Sequence, residues 1–125
     1  MVNQKNLNES DILASTVVEG MMNIKAKEII SLNLTDIDTA VCDYFIICHG
    51  TSDTHVSAIS ESIIEETLNT LKEKPWHREG LTNNDWVLLD YGNVVAHVFQ
   101  KDTREYYNIE KLWGDAKIQL YKESA

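Results

Sequence analysis

The sequence predicts one domain of the α/β (α+β) class, with a mixed sheet of about five strands flanked by helices. The chain has 125 residues, which is long enough to bury a single core. One proline, five glycines and no linker-like segment indicate one compact unit. Segments with helical periodicity alternate with short β-branched segments, as in layered domains.

The first half of the chain predicts a helix, two strands and a second helix. Ser10 and Asp11 are suitable caps for the first helix, which should end near Asn23. The segments KEIISLNL and CDYFIICHG are predicted strands, and Ser52 is a suitable N-cap for the second helix. The expected core residues are Ile12, Leu13, Val17, Val18 and Met21 on the first helix, and Val56, Ile59, Ile63, Thr67, Leu68 and Leu71 on the second.

The second half predicts a short edge strand (WHREG), a hairpin (DWVLLDYGNVVAHVF) and a last helix. Asp102 and Glu105 have the spacing of a capping box, and Gly114 suits the end of that helix. The segment DAKIQLYKESA is predicted to be a loosely held tail. The expected apolar stripe of the last helix is Tyr106, Ile109, Leu112 and Trp113.

The hairpin is apolar on both faces, although a hairpin with one face on a core should alternate apolar and polar residues. A type I′ turn at Gly92-Asn93 pairs Trp86 with Phe99. One face then carries Val87, Leu89, Tyr91, Val94, Ala96 and Val98 against helices, and the other carries Trp86, Leu88, Asp90, Val95, His97 and Phe99. The second face is either covered by the first or last helix or open as a protein-docking surface, and both alternatives fit the pattern.

The acidic and histidine residues predict no catalytic or metal site. Asp85 and Asp90 are five residues apart and face opposite sides of a regular strand, whereas metal-assisted catalysis needs convergent carboxylates. We expect a turn contact for Asp90 and a strand-end cap for Asp85. Asp36 and Asp38 have the two-residue spacing but lie in a predicted loop. None of the four histidines has metal-ligand spacing, so neither a metal ion nor another cofactor is expected.

The cysteines and the turn before the second helix also have predicted structural roles. Cys42 and Cys48 should lie on the same side of one strand, too far apart for a disulfide, as buried reduced thiols. The turn Gly50–Asp53 could receive a phosphate through backbone N–H groups, but it lacks the lysine of a P-loop. Ser52 and Asp53 therefore favour helix capping.

The formal charge of −9 predicts that the protein does not bind nucleic acid directly, because phosphates would be repelled. The sequence shows no secretory signal and no run of about 18 apolar residues, which predicts a cytoplasmic protein outside the membrane.

Three segments resemble the Iojap-like ribosomal silencing factor family: CDYFIICHGTSDTHVSAIS, DWVLLDYGNVVAHVF and REYYNIEKLW, in this order and at these spacings. The resemblance covers roughly residues 12–113. It implies a nucleotidyltransferase-like topology without the catalytic carboxylates, and hence no enzyme. The domain would span residues 10–114, after a flexible N-terminus of residues 1–9 and before a tail of residues 115–125.

The resemblance also implies a translation repressor. Such proteins bind the large ribosomal subunit through its fourteenth protein and block joining of the small subunit when nutrients are scarce. The family's docking tryptophan corresponds to Trp86, and sorting of the hairpin faces extends the expected partner-binding site to Leu88, Asp90, His97 and Phe99, with Tyr91 at the turn. The alternatives are a nucleotide-binding or degenerate nucleotidyltransferase-like enzyme that uses the Gly50–Asp53 turn, and a homodimer through the same hairpin face.

Overall fold

The structure, a computed structural model, describes residues 4–122, with side chains from residue 9 onward. Two long helices, two short helices and six strands make up this part of the chain. The helices are α1 (Gln4–Asn23), α2 (Asp53–Leu71), α3 (Lys101–Tyr107) and α4 (Ile109–Leu112); the strands are β1 (Lys27–Asn33), β2 (Tyr44–Gly50), β3 (His77–Glu79), β4 (Trp86–Asp90), β5 (Val94–Gln100) and β6 (Lys117–Leu120).

The strands form one sheet in the order β3-β4-β5-β2-β1-β6. Strands β2 and β5 are parallel and the other neighbours are antiparallel, which confirms the predicted mixed sheet of an α+β domain. β3 is an edge strand, as predicted from its position after Pro75. No helix of residues 4–122 is long and apolar enough to cross a membrane.

The sixth strand lies in the segment predicted to be a loosely held tail, and that prediction is wrong. β6 pairs antiparallel with β1 and covers what would otherwise be an open edge of the sheet. All four residues of β6 are exposed, including Ile118 and Leu120. The segment does alternate polar and apolar residues, from Lys117 to Leu120, but this strand pattern covers only four residues.

Helices α1 and α2 cover one face of the sheet and form the larger core with it. They approach closely at Gly20, where an added Cβ would lie 2.7 Å from the Cα of Ile63. Most of the expected helix residues are buried, but Ile12 is 54% exposed and Leu68 is also exposed, so these two assignments are wrong. The buried ones are Leu13, Val17, Val18, Met21, Val56, Ile59, Ile63 and Thr67, with Leu71 packed at the margin of the core.

Helix α1 begins before the predicted caps, at Gln4. Ser10 is buried inside the helix, where its hydroxyl donates to the carboxylate of Asp43 (2.5 Å) and accepts from the side chain of Asn93 (2.9 Å). The Tyr44 hydroxyl donates to Asp11. Both polar residues therefore fasten α1 to the sheet rather than capping it.

The predicted last helix is divided into α3 and α4 at Asn108, which has a left-handed backbone (φ 43°). The predicted capping box is wrong: Gln100 is the N-cap, and Asp102 lies in the first turn. Ile109 is buried and Trp113 half-buried as expected, but Tyr106 (81% exposed) and Leu112 (76% exposed) lie at the surface. The break rotates α4 relative to α3, so a single helical period does not describe both.

The two cysteines are free and buried, but they lie on opposite faces of the sheet, so the predicted common side is wrong. Cys48 is within β2, whereas Cys42 precedes the strand, where the two-residue alternation does not hold. Burial raises the pKa of each thiol to about 12, which keeps both protonated.

Candidate docking site on the second face of the hairpin

Strands β4 and β5 form the hairpin in the predicted register, with Trp86 opposite Phe99 and Asp90 opposite Val95. The turn differs in type. Only Gly92 has a positive φ (90°), whereas a type I′ turn requires it at Asn93 as well. A single positive φ at the first turn position matches type II′, which preserves the register.

The face predicted to pack against helices does so, and all six of its residues are buried in the core with α1 and α2. Tyr91 belongs to this face, and its hydroxyl is hydrogen-bonded to that of Thr67 on α2 (2.9 Å). The structure therefore places Tyr91 away from Trp86, on the other side of the sheet.

The second face is partly covered and partly open. His97 and Phe99 are buried, whereas Trp86, Leu88 and Asp90 are half-buried. The cover comes from the C-terminal helices and from the connection between β1 and β2, whose Leu34 and Cys42 pack in the same cluster, and not from α1. The Tyr107 ring centroid lies 4.9 Å from that of Trp86, and Ile109 packs in the same apolar cluster as Phe99. The C-terminal helices thus cover the inner residues and leave Trp86 and Leu88 at the surface.

Arg104 holds this cover on the sheet. Its guanidinium is buried, donates to the carboxylate of Glu110 (2.7 Å) and contacts Nδ1 of His49 on β2 (2.9 Å). Burial, followed by the charge of Arg104, lowers the pKa of His49, so that its ring is neutral and accepts from the guanidinium. One side chain therefore joins α3, α4 and the sheet.

Trp86 is oriented by His97. The indole N–H of Trp86 donates to Nδ1 of His97 (3.1 Å), and its ring lies 4.9 Å from that of Phe99. Burial lowers the pKa of His97 to about 4, so the imidazole is neutral at pH 7 and carries its proton on Nε2. That Nε2 is buried without a hydrogen-bond partner in the described part of the chain. Within the described part of the chain, the imidazole of His97 therefore makes one hydrogen bond, to the indole of Trp86.

The low pKa of His97 predicts that acid destabilises the protein. The unfolded state takes up a proton near pH 6.5 and the folded state only near pH 4, so stability is lost as the pH falls through this window. The loss is about 3.5 kcal/mol at most, because one pKa unit corresponds to about 1.4 kcal/mol. Urea unfolding at pH 7, 5.5 and 4 measures it.

The control for this prediction is a pair of histidine variants. His97→Phe should reduce the pH dependence between pH 6.5 and 4, because it removes one of two histidines with a lowered pKa and leaves His49. His77→Phe, which changes an exposed histidine of β3, should leave it unchanged. An equal flattening in both variants would contradict the assignment to His97.

The two aspartates of the hairpin have structural positions. The carboxylate of Asp90 accepts from the backbone N–H of Gly92 (2.7 Å), which confirms the predicted turn contact. The backbone carbonyl of Asp85 accepts from the N–H of Gln100 (2.9 Å) and extends the strand pairing by one bond. Among the described residues, no cluster of three or more histidine, cysteine or acidic side chains could hold a metal ion.

The groups of the Gly50–Asp53 turn are engaged within the protein. Ser52 caps α2 by accepting from the N–H of His55 (3.1 Å), as predicted. The Asp53 carboxylate accepts from the side chain of Gln100 (2.5 Å), and the Thr51 N–H donates to Nδ1 of His55 (2.9 Å). The turn therefore offers a carboxylate and few free donors to a phosphate, which favours helix capping over nucleotide binding.

Two tyrosines extend the exposed aromatic surface beyond the predicted residues. Tyr107 contacts Trp86, and Tyr106 packs edge-on against Tyr107 with ring centroids 5.0 Å apart. We call Trp86, Leu88, Tyr106 and Tyr107 the docking surface. The sequence assigned Tyr106 to the core and Tyr107 to no site. Their adjacency was no signal of exposure, because consecutive helix residues can both be buried, as Val17 and Val18 are.

Comparisons with known proteins agree with this architecture. The model of the family described as "Ribosomal silencing factor during starvation" matches residues 7–125. "Ribosomal silencing factor RsfS" of Bacillus subtilis (strain 168) is 47% identical over 95 residues, which are 75% of this chain and 78% of that protein.

Two solved structures have the same fold. A crystal structure of a Chromobacterium violaceum protein superposes with a TM-score of 0.78 at 30% identity, covering 92% of this chain and 94% of that one. One from Bacillus halodurans superposes with a TM-score of 0.73 at 38% identity, covering 82% and 94%.

Proposed function

This chain belongs to the ribosomal silencing factor family, and from that premise we propose that it is a translation repressor without enzymatic activity. It binds the large ribosomal subunit through the fourteenth protein of that subunit and sterically blocks association with the small subunit. Translation is thereby repressed when nutrients are limiting.

The observation that carries this proposal is the preorganised docking surface. The indole of Trp86 is half-exposed, yet its N–H donates to His97 and its ring packs against the rings of Phe99 and Tyr107. A partner that buries this ring therefore immobilises little additional side-chain freedom, which favours affinity. Half-buried tryptophans with aromatic neighbours are typical centres of protein–protein interfaces.

Steric exclusion needs bulk and affinity but no reactive group. A globular chain of 125 residues has a radius of gyration of about 14 Å. A body of that size on the joining face of one subunit holds the other subunit out of contact. The thiols are buried with raised pKa values, and the Asp90 carboxylate binds the backbone of the hairpin turn, which supports a mechanism without chemistry.

The charge of the chain supports the proposed partner. At −9, the protein is attracted by a basic ribosomal protein and repelled by neighbouring rRNA. Encounter is therefore favoured where protein, rather than RNA, is presented at the subunit surface.

Co-sedimentation with isolated large subunits tests the proposal. We expect the protein to sediment with large subunits and not with small subunits, and purified fourteenth protein in excess should release it. Sedimentation with both subunits alike, or no effect of the purified protein, would contradict the assignment of the partner.

A further inference from the structure

A second tryptophan, Trp76, is more exposed than Trp86 and lies outside the docking surface. It is 83% exposed, and the neighbouring Val41 is 89% exposed. Both line a groove of about 500 Å³ at the turn end of the hairpin. We call this the Trp76 groove; its other lining residues are Glu9, Cys42, Asp43, Glu73, Tyr91, Gly92 and Asn93.

The ring of Trp76 is held in place although it is exposed. Its backbone N–H donates to the carbonyl of Asp90 (2.7 Å), and this bond extends the ladder between β3 and β4 by one residue. Its six-membered ring lies against Gly92: a Cβ there would come within 2.9 Å of one ring carbon and 3.0 Å of another. A glycine at this turn therefore provides the space for the indole, and most of the ring remains open to the solvent.

The groove is negatively charged. Its lining includes the carboxylates of Glu9, Asp43 and Glu73 and no lysine, arginine or histidine. After burial, the charges of Asp43 and Asp90 contribute to the raised pKa of Cys42. Neither Glu9 nor Glu73 has an ion-pair partner among the described residues.

The cleft beside α3 shows that this charge is not general to the molecule. It has a similar volume of about 520 Å³ and is also lined by three carboxylates, but Lys101 and Arg104 offset two of these charges. The Trp76 groove thus differs from it in charge rather than in size.

We propose that the Trp76 groove binds a lysine- or arginine-bearing segment of the ribosomal partner protein. An ammonium or guanidinium group is attracted by the face of an indole and by nearby carboxylates. The apolar ring and Val41 contact the aliphatic stem of the same side chain. The carboxylates repel phosphate, so the occupant is polypeptide and not rRNA.

This inference rests on the proposed function and extends its interface. Trp86 lies at one end of β4 and Trp76 lies beside the other end, next to Asp90. The five residues of the strand separate the two ends by about 14 Å. A standard protein interface of about 800 Å² per partner is roughly 30 Å across. The groove is lined by Tyr91, which faces α1 and α2, whereas Trp86 lies on the other face of the sheet. One basic partner therefore reaches both sites by extending a segment around the turn end of the hairpin.

Titration with hexalysine tests the chemistry of the groove without ribosomes. The three tryptophans should give three indole N–H signals in a ¹H–¹⁵N spectrum, and Trp76→Phe identifies that of Trp76. We expect hexalysine to shift the Trp76 signal saturably. The dissociation constant should rise about two- to fivefold in Trp76→Ala and in Glu73→Gln.

The matched control is Glu65→Gln, which removes the same charge from the exposed side of α2 and should leave hexalysine binding unchanged. Equal weakening by Glu65→Gln and Glu73→Gln would reduce the effect to net charge and overturn the proposal. An unmoved Trp76 signal, or equal binding of hexaglutamate, would overturn it too.

Co-sedimentation then assigns the occupant to the ribosome. Trp76→Ala and Glu73→Gln should bind large subunits more weakly than Glu65→Gln does, and undiminished binding by both would overturn the assignment. If the unmodified protein does not bind large subunits, the proposed function is contradicted. If it binds but the two groove variants bind equally well, only the groove assignment is contradicted.

Discussion

Replacing Trp86 by alanine weakens binding to the large ribosomal subunit at least thirtyfold in our expectation, which corresponds to about 2 kcal/mol or more. The variant removes the largest half-exposed ring of the docking surface and leaves Nδ1 of His97 without its donor. It also exposes Phe99 to the solvent. Quantitative co-sedimentation at fixed salt measures the change in the dissociation constant.

Two variants separate binding from folding in this experiment. Trp86→Phe keeps an aromatic ring but loses the indole N–H, so an intermediate loss is expected. Ile12→Ala removes an exposed apolar side chain from α1, which covers the opposite face of the sheet, and should bind normally. Normal binding by folded Trp86→Ala would exclude Trp86 as the centre of the interface.

Replacing Gly80 by alanine should lower the free energy of unfolding by about 3 kcal/mol or more. Gly80 has a positive φ (82°), and an added Cβ would lie 1.9 Å from the backbone oxygen of Trp86. Since that oxygen belongs to β4, no side chain can move to relieve the clash. The strand must shift, and Trp86 with it, so binding should weaken together with stability.

Gly114→Ala provides the comparison. A Cβ at Gly114 would meet its nearest neighbour, the carbonyl of Lys111, at an ordinary 3.4 Å, and the change should alter stability by less than about 0.5 kcal/mol. Urea unfolding of both variants at pH 7 measures the difference. Equal stabilities would show that β4 accommodates the side chain and would contradict the close approach.

The hairpin could be predicted from the sequence because its signals are local. The two-residue period assigns each side chain to a face, and the Gly-Asn turn sets the register that pairs Trp86 with Phe99. The same locality explains the correct N-cap at Ser52. The turn type was predicted wrongly because Gly-Asn suits both type I′ and type II′ turns, and the strand register is the same with either turn.

The cover over the second face could not be predicted, because it depends on contacts between distant parts of the chain. Tyr107 reaches Trp86 only because α3 ends at Asn108 and Arg104 fastens it to the sheet. A helical period drawn through Tyr106 and Ile109 ignores that break. Strand β6 was missed although its residues alternate polar and apolar, because the pattern covers only four residues.

The second face of the hairpin is neither fully covered nor fully open, so each of the two alternatives holds for part of it. The C-terminal helices bury His97 and Phe99, whereas Trp86 and Leu88 remain half-exposed. The residue pattern could not divide the strip into buried and open parts, because the covering residues come from distant segments of the chain. The buried residues then act through Trp86, which they orient and support.

Reassociation of isolated subunits tests whether the protein excludes the small subunit from the large one. Isolated large and small subunits are mixed with increasing amounts of the protein, and the joined particles are quantified by sucrose-gradient sedimentation. Steric exclusion predicts that joined particles decrease as the protein occupies large subunits, with no nucleotide required and with Trp86→Ala inactive at the same concentrations. Undiminished joining with the protein bound to every large subunit would contradict the account.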